Sequence, residues 1–143
     1  MAHPRKELRD AVVASLIAAD TLAGVNVVPF DVSREDVQSD VRLGVTTPSE
    51  SSQLAGLGLP LRRDISLKII ARVPKKDDDA GIDRADELAE EIEAWWRANS
   101  TFGGIAQQSI LVATEVSAQA AIETIAEIEF TFAVRVQRGA VAT

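Results

Sequence analysis

The chain has 143 residues, with 22 acidic and 15 basic residues and a net charge of −7. This length favours a single domain, residues 1–143, and the lack of cysteine excludes disulfides and thiolate chemistry. The acidic balance argues against tight nucleic-acid binding, because phosphate neutralisation needs clustered Lys and Arg. No apolar run reaches the ~18 residues that would span a bilayer. The stretch "MAHPRKELRD" is not expected to be a secretory signal, because no continuous apolar core follows its charges. We therefore expect a protein made and used in a cytoplasm, with no membrane partner.

The first third of the chain predicts one helix and two strands. Proline suits the first helical position, so a helix is expected from near Pro4 to before Gly24. A short strand is expected at Val25–Phe30, and the alternation of residues 41–46 predicts a second strand. The apolar face of the helix comprises Leu8, Val12, Leu16 and Ala19.

The second half predicts three strands and one helix. Alternation in "RRDISLKIIARV" predicts a third strand that ends at Pro74, because proline cannot donate to a ladder. "KKDDDAGID" is expected to form a charged turn before a helix over about Asp83–Ala98. Ser109–Val116 and a last segment running to about Gln137 are expected to be strands. The apolar sides of the third and last strands are Ile65, Leu67, Ile69, Ala71 and Val73, and Ile128, Phe130, Phe132, Val134 and Val136.

These patterns together define a fold class. Strands that alternate polar and apolar side chains belong to a sheet with helices on one face only. The sequence therefore predicts an α+β fold, with a mostly antiparallel (mixed) β-sheet of about five strands and two main helices packed on one face. The C-terminal tail, 138–143, is expected to be flexible.

A long loop is predicted between the second and third strands, at residues 46–64, "TTPSESSQLAGLGLPLRRD". Loops beyond about 12–15 residues usually have a function or are disordered. Because this segment carries leucines that a solvated linker does not need, we expect it to contact another subunit or a partner. The candidate interface residues are Pro48, Glu50, Leu54, Leu57, Leu59, Arg62 and Arg63.

No motif in the chain predicts catalysis or cofactor binding. The single histidine, His3, lies at the start of the chain, and one histidine without cysteine gives no zinc ligand set. "DDDAGID" fails the register of a calcium-binding loop, and "GLGLPL" lacks the third glycine of a dinucleotide fingerprint. We expect no catalytic, cofactor-binding or metal-binding residues and no enzymatic activity. Of the tandem tryptophans, Trp95 and Trp96, one is expected in the core and the other at its edge, where it caps the core or reaches a neighbouring chain.

In the order and spacing of its segments, the chain resembles the phage tail terminator family, of the minor tail protein U type found in long-tailed bacteriophages. The resemblance covers residues 3–138 and lies in pattern and length more than in identities. The segments that carry it are "HPRKELRDAVVASLIA", "NVVPFDV", "SREDVQSDVRLGVTTPSE", "RRDISLKIIARV", "DRADELAEEIEAWW", "ILVATEV" and "IAEIEFTFAVRV".

The resemblance implies a structural role in virion assembly. Members of this family form a hexameric ring on the head-proximal end of the tail tube, stop its polymerisation and provide the head-tail joining surface. The implied partners are further copies of the chain, the major tail tube protein and the head-completion or connector proteins of the neck. The implied location is the virion tail and neck, and the host cytoplasm during assembly.

Two features of the sequence suit such a ring. A head-to-tail interface, made by sheet-edge pairing or by a loop reaching the neighbour, closes into a ring when its rotation divides the circle. DNA would pass through without specific binding, because an acidic lumen repels phosphates. The acidic residues Asp77, Asp78 and Asp79 are candidates to line it.

Two alternatives remain open at this point. The nearest is another ring-forming neck or tail-completion protein. The other, from a different class, is a small cytoplasmic ligand-binding or enzyme-accessory domain, which a convergent polar pocket would favour.

Overall fold

A computed structural model of the chain describes residues 3–19, 26–28, 42–54, 61–74, 78–119 and 125–138. These residues form two helices and five strands in the chain order α-β-β-β-α-β-β. Their bounds are α1 Pro4–Ala18, β1 Asn26–Val28, β2 Arg42–Leu54, β3 Leu61–Pro74, α2 Asp78–Ala98, β4 Gln108–Gln119 and β5 Ile125–Arg138.

The strands form one sheet with the spatial order β1-β2-β3-β5-β4. The short β1 pairs with β2 in parallel, and the four long strands pair with one another antiparallel. β3 and β5 form the centre of the sheet and pair along their whole lengths, from Leu61 opposite Arg138 to Pro74 opposite Ile125. The α+β fold predicted from the sequence is confirmed, with a sheet that is antiparallel except for β1.

Both helices pack on the same face of the sheet. The alternating residues predicted on β3 and β5 are buried there, and Leu8, Val12 and Leu16 of α1 and Leu88, Ile92 and Trp95 of α2 cover them. The polar residues between them point to the opposite face, which we call the open face. One-sided coverage follows from the two-residue period of a strand, which sends successive side chains to opposite faces.

The first helix begins where its sequence predicts and ends well before the predicted limit at Gly24. His3 caps it, since its Nδ1 accepts a hydrogen bond from the backbone N–H of Arg5 over 3.2 Å, and Pro4 occupies the first helical position. The helix ends at Ala18, and the backbone of Ala19 is extended.

The second helix begins earlier than predicted. Residues 78–82, expected to belong to a charged turn, are the first residues of α2. Acidic residues at a helix N-terminus are favoured by the helix dipole, which accounts for helical structure here in spite of Gly81. Among the described residues, neither helix is long and apolar enough to cross a membrane.

The tandem tryptophans join α2 to the rest of the fold. Trp95 is buried, and its Nε1 donates a hydrogen bond to Ser15 Oγ on α1 over 2.9 Å. Trp96 is half-buried, and its Nε1 donates to Ser109 Oγ at the start of β4 over 2.8 Å. Trp96 also packs against Phe132, with ring centroids 5.7 Å apart. Both residues therefore have partners inside the chain, one in the core and one at its edge, as the sequence predicts.

The predicted loop at 46–64 is wrong for most of its length. Residues 46–54 continue β2 and residues 61–64 begin β3, so the segment is a β-hairpin in which Leu54 lies opposite Leu61. An irregularity between Thr46 and Ser49 interrupts the register at Pro48, as expected for a residue that cannot donate to the ladder. The remaining residues of the segment, 55–60, lie outside the described part of the chain.

Candidate interaction surfaces

The described residues contain no group of three or more His, Cys, Asp or Glu side chains that could hold a metal ion. Both ring nitrogens of His3 have structural neighbours: Nδ1 accepts the capping hydrogen bond, and Nε2 lies 3.6 Å from Glu50 Oε1. The search for function therefore turns to surfaces that another molecule could contact.

A cluster of charged residues surrounds the half-buried carboxylate of Glu50. Arg63 Nη1 donates a hydrogen bond to Glu50 Oε2 over 2.8 Å, and Arg5 Nε lies 3.0 Å from Oε1. The side chain of Glu50 is 14% exposed and that of Arg63 is 22% exposed, so water screens this pair less than a surface pair. The cluster fixes the first turn of α1 to the β2–β3 hairpin.

The predicted interface residues divide into three groups. Glu50 and Arg63 are brought together, but they contact each other and α1, so their charges are not free for a partner. Pro48 is exposed in the β2 irregularity, and Arg62 is half-buried on β3. Leu54 lies at the end of β2, and Leu57 and Leu59 lie outside the described residues.

The acidic residues proposed for a lumen fall at the start of α2. Asp78 and Asp79 are its first two residues, and Asp77 lies outside the described residues. Because acidic residues are favoured at any helix N-terminus, this position in the chain does not by itself indicate a lumen.

A shallow groove of about 420 Å³ crosses the open face of the sheet. Its floor is made of small side chains, because Ser49, Ser66 and Ala133 lie side by side on three neighbouring strands. Ser51, Thr131 and Val112 contribute to its walls. The groove therefore offers several hydroxyl groups and a small apolar surface to solvent.

Charged residues on the open face pair with one another on either side of the groove. Lys68 Nζ lies 2.9 Å from Glu129 Oε1, and Arg135 Nε donates to Asp64 Oδ1 over 3.1 Å. Because each pair joins neighbouring strands, these charges cancel locally and leave no strongly charged patch here.

The outer edge of β4 is the surface that the sequence did not predict. β4 is the end strand of the sheet and pairs, among the described residues, with β5 alone. Ile110 and Val112 on this strand are 50% and 61% exposed. The sequence feature that accompanies this edge is "SILVATEV", a nearly uncharged strand. The sequence does not reveal that this strand lies at the edge of the sheet.

The chain matches no protein-family model, and a comparison with curated proteins finds no match. Its surfaces are therefore interpreted from their own chemistry and from the pattern of the sequence.

Proposed function

We propose that this protein is a structural assembly protein, a tail terminator that forms a hexameric ring on the head-proximal end of a phage tail tube. In this role it stops tube polymerisation and presents a joining surface to the head-completion or connector proteins. The resemblance of residues 3–138 to tail terminators supports the proposal that the assembly is a tail-terminator ring.

The observation that carries an assembly role is the one-sided sheet. Its helix-covered face holds the core, whereas its open face and the β4 edge have no partner in the described part of the chain. Long strand edges with exposed apolar residues are sites where another chain adds to a sheet. A protein with such an edge is suited to association.

The net charge of the chain is compatible with DNA passing through the ring. Each copy contributes −7, and a surface of like charge repels the phosphate backbone. DNA then moves past the ring without being held. A ring whose lumen is basic would remove this part of the proposal.

The first test is the mass of the purified protein by light scattering, alone and after mixing with purified tail tubes whose ends are imaged. A six-fold ring, free or on one end of the tube, supports the terminator role. A ring that binds neck components and ignores tube ends points instead to another neck or tail-completion protein. A strict monomer that ignores tubes contradicts the terminator role and favours a neck component or the ligand-binding alternative.

The groove on the open face favours a second candidate, a small ligand-binding or enzyme-accessory domain. Its volume of about 420 Å³ falls in the range of small-molecule sites, and Ser49, Ser51, Ser66 and Thr131 supply hydroxyl groups. Against it, the groove is shallow and lies on an open sheet face. A thermal-shift screen with small polar metabolites tests this candidate; a stabilising compound whose effect is lost in Ala133→Phe, which fills the groove, would support it.

A further inference from the structure

The β4 edge lacks most of the features that protect an end strand. Edge strands are normally short, or carry lysine, proline or inward-pointing charges, because their unpaired N–H and C=O groups recruit other chains. β4 has 12 residues, contains neither lysine nor proline, and has one charged residue, Glu115. Its only protective feature is the register irregularity at Val112. This edge is therefore suited to pairing.

A second free edge of similar length lies at the other side of the same sheet. β1 pairs only with Arg42, Leu43 and Gly44 of β2. From Val45 to Leu54, β2 pairs with β3 on one side and with no strand on the other in the described part of the chain. Its one charged residue, Glu50, is already neutralised by Arg63 and Arg5. An incoming strand therefore meets a nearly uncharged edge, whose one protective feature is Pro48 at the register irregularity.

The directions of the two edge strands are compatible with a ring. β2, β3, β5 and β4 are each antiparallel to the next, so β4 runs opposite to β2. A rotation about an axis along the strands preserves these directions, so β4 of one copy meets β2 of the next copy antiparallel. Antiparallel pairing is the more stable kind, and head-to-tail contacts of this type close into rings. Pairing of β4 with β4 would instead be two-fold and stop at a dimer.

We propose that the outer edge of β4 in one copy pairs, antiparallel, with residues 45–54 of β2 in the next copy, so that one sheet runs through the ring. This inference rests on the ring proposed above, and it names the strands that close it. The helices of all copies then lie on one side of the continuous sheet and the open faces on the other.

The first test places a charge on the β4 edge. Val112→Lys adds a lysine to the exposed edge, a residue that natural edge strands use against pairing. The matched control is Ile17→Lys, because Ile17 is 64% exposed on α1 and belongs to neither edge strand. We expect Val112→Lys to lose the ring mass in light scattering and Ile17→Lys to keep it, with both monomers folded by circular dichroism. A ring that survives Val112→Lys overturns the proposal.

The second test is crosslinking between introduced cysteines. Because the chain has no cysteine of its own, every thiol in a variant is an introduced one. Ala113→Cys and Ser51→Cys place thiols on exposed positions of the open face in β4 and β2. A second pair of variants, Glu115→Cys and Ser49→Cys, tests the same antiparallel register. In such a register the position moves up one strand by two residues as it moves down the other by two. Mixing a β4 variant with a β2 variant and adding a short bifunctional thiol crosslinker should give a covalent dimer, which either variant alone should not give.

The outcomes separate this inference from the proposed function. A ring of the unaltered protein that survives Val112→Lys and gives no crosslink in either mixture overturns the edge pairing and leaves the ring intact. A dimer formed by Ala113→Cys alone shows β4–β4 pairing and also overturns it. If the protein forms no ring, either alone or with tubes, the result contradicts the proposed function and this inference with it.

Discussion

Arg63 Nη1 donates a hydrogen bond to Oε2 of Glu50 over 2.8 Å, which joins β3 to β2 at the point where the first turn of α1 meets the sheet. The two side chains are mostly buried, and Arg5 supplies a second positive charge to the same carboxylate. The interaction therefore holds a helix to a hairpin as well as one strand to another.

Glu50→Gln should lower the free energy of unfolding by about 1–3 kcal/mol. This range lies between the cost of losing an exposed ion pair, under about 1 kcal/mol, and that of a fully buried one, about 3–5 kcal/mol. The matched control is Asp10→Asn, since the Lys6–Asp10 pair on α1 is exposed. Urea unfolding followed by circular dichroism measures both variants. Equal effects of the two substitutions would show that the Glu50 cluster is no more than a surface pair.

Ser15→Ala should destabilise the contact between the two helices. Ser15 Oγ accepts the hydrogen bond of the buried Trp95 Nε1, and an unpaired buried donor costs about 1–3 kcal/mol. Ser51→Ala, at an exposed serine, serves as the control and should change the stability little. Thermal and urea unfolding, with tryptophan fluorescence as a second probe, compare the two. An unchanged stability in Ser15→Ala would mean that water replaces the serine.

Phe132→Ala should be the most damaging of these substitutions. Phe132 is 1% exposed at the centre of the sheet and packs against Trp96 and Phe130. Loss of a buried phenylalanine leaves a cavity and costs about 3–5 kcal/mol. Ile110→Ala, on the exposed edge strand, should cost less than about 1 kcal/mol in the monomer. A similar loss of stability in both variants would argue that another part of the chain covers β4 in the monomer.

Replacement of residues 55–60 by Asn-Gly should leave the domain folded and impair ring formation. Leu54 and Leu61 are paired, so a two-residue turn can connect them, and Asn-Gly is the preferred sequence for it. The replacement removes Leu57 and Leu59, which the sequence predicts as contacts to a neighbour or to the tube. Circular dichroism reports the fold and light scattering with tubes reports assembly. A variant that still forms rings and caps tubes would show that these leucines are dispensable.

The sequence predicted the sheet best where helices cover it. β3 and β5 alternate because one of their faces is buried, and Ile69 and Phe130, which lie opposite each other, show this pattern at the centre. The second half of β2 carries no such signal, since Ser49 and Ser51 face the open side and Glu50 faces charged residues. Its strand structure comes from pairing with β3, an interaction between segments that single-sequence periodicity does not report.

The candidate surfaces were less predictable than the fold. Glu50 and Arg63 were selected as partner contacts because a polar segment with leucines suggested a loop, but they pair within the chain. The exposed β4 edge was missed because a strand's place in the sheet depends on the order of all the strands, and this order places the last two described strands in reverse spatial sequence.

The strand order also determines when the β4 edge can form. β4 joins the sheet through β5, and β5 pairs with β3, whose Leu61 lies opposite Arg138 far along the chain. Such distant pairings form slowly, because a long loop must close before any contact forms. A nascent chain that lacks β5 can still pair β1, β2 and β3, but β4 then has no strand to pair with and presents no ordered edge of its own. In the proposed ring, the β4 edge therefore becomes available to a neighbouring copy only after β5 has been translated.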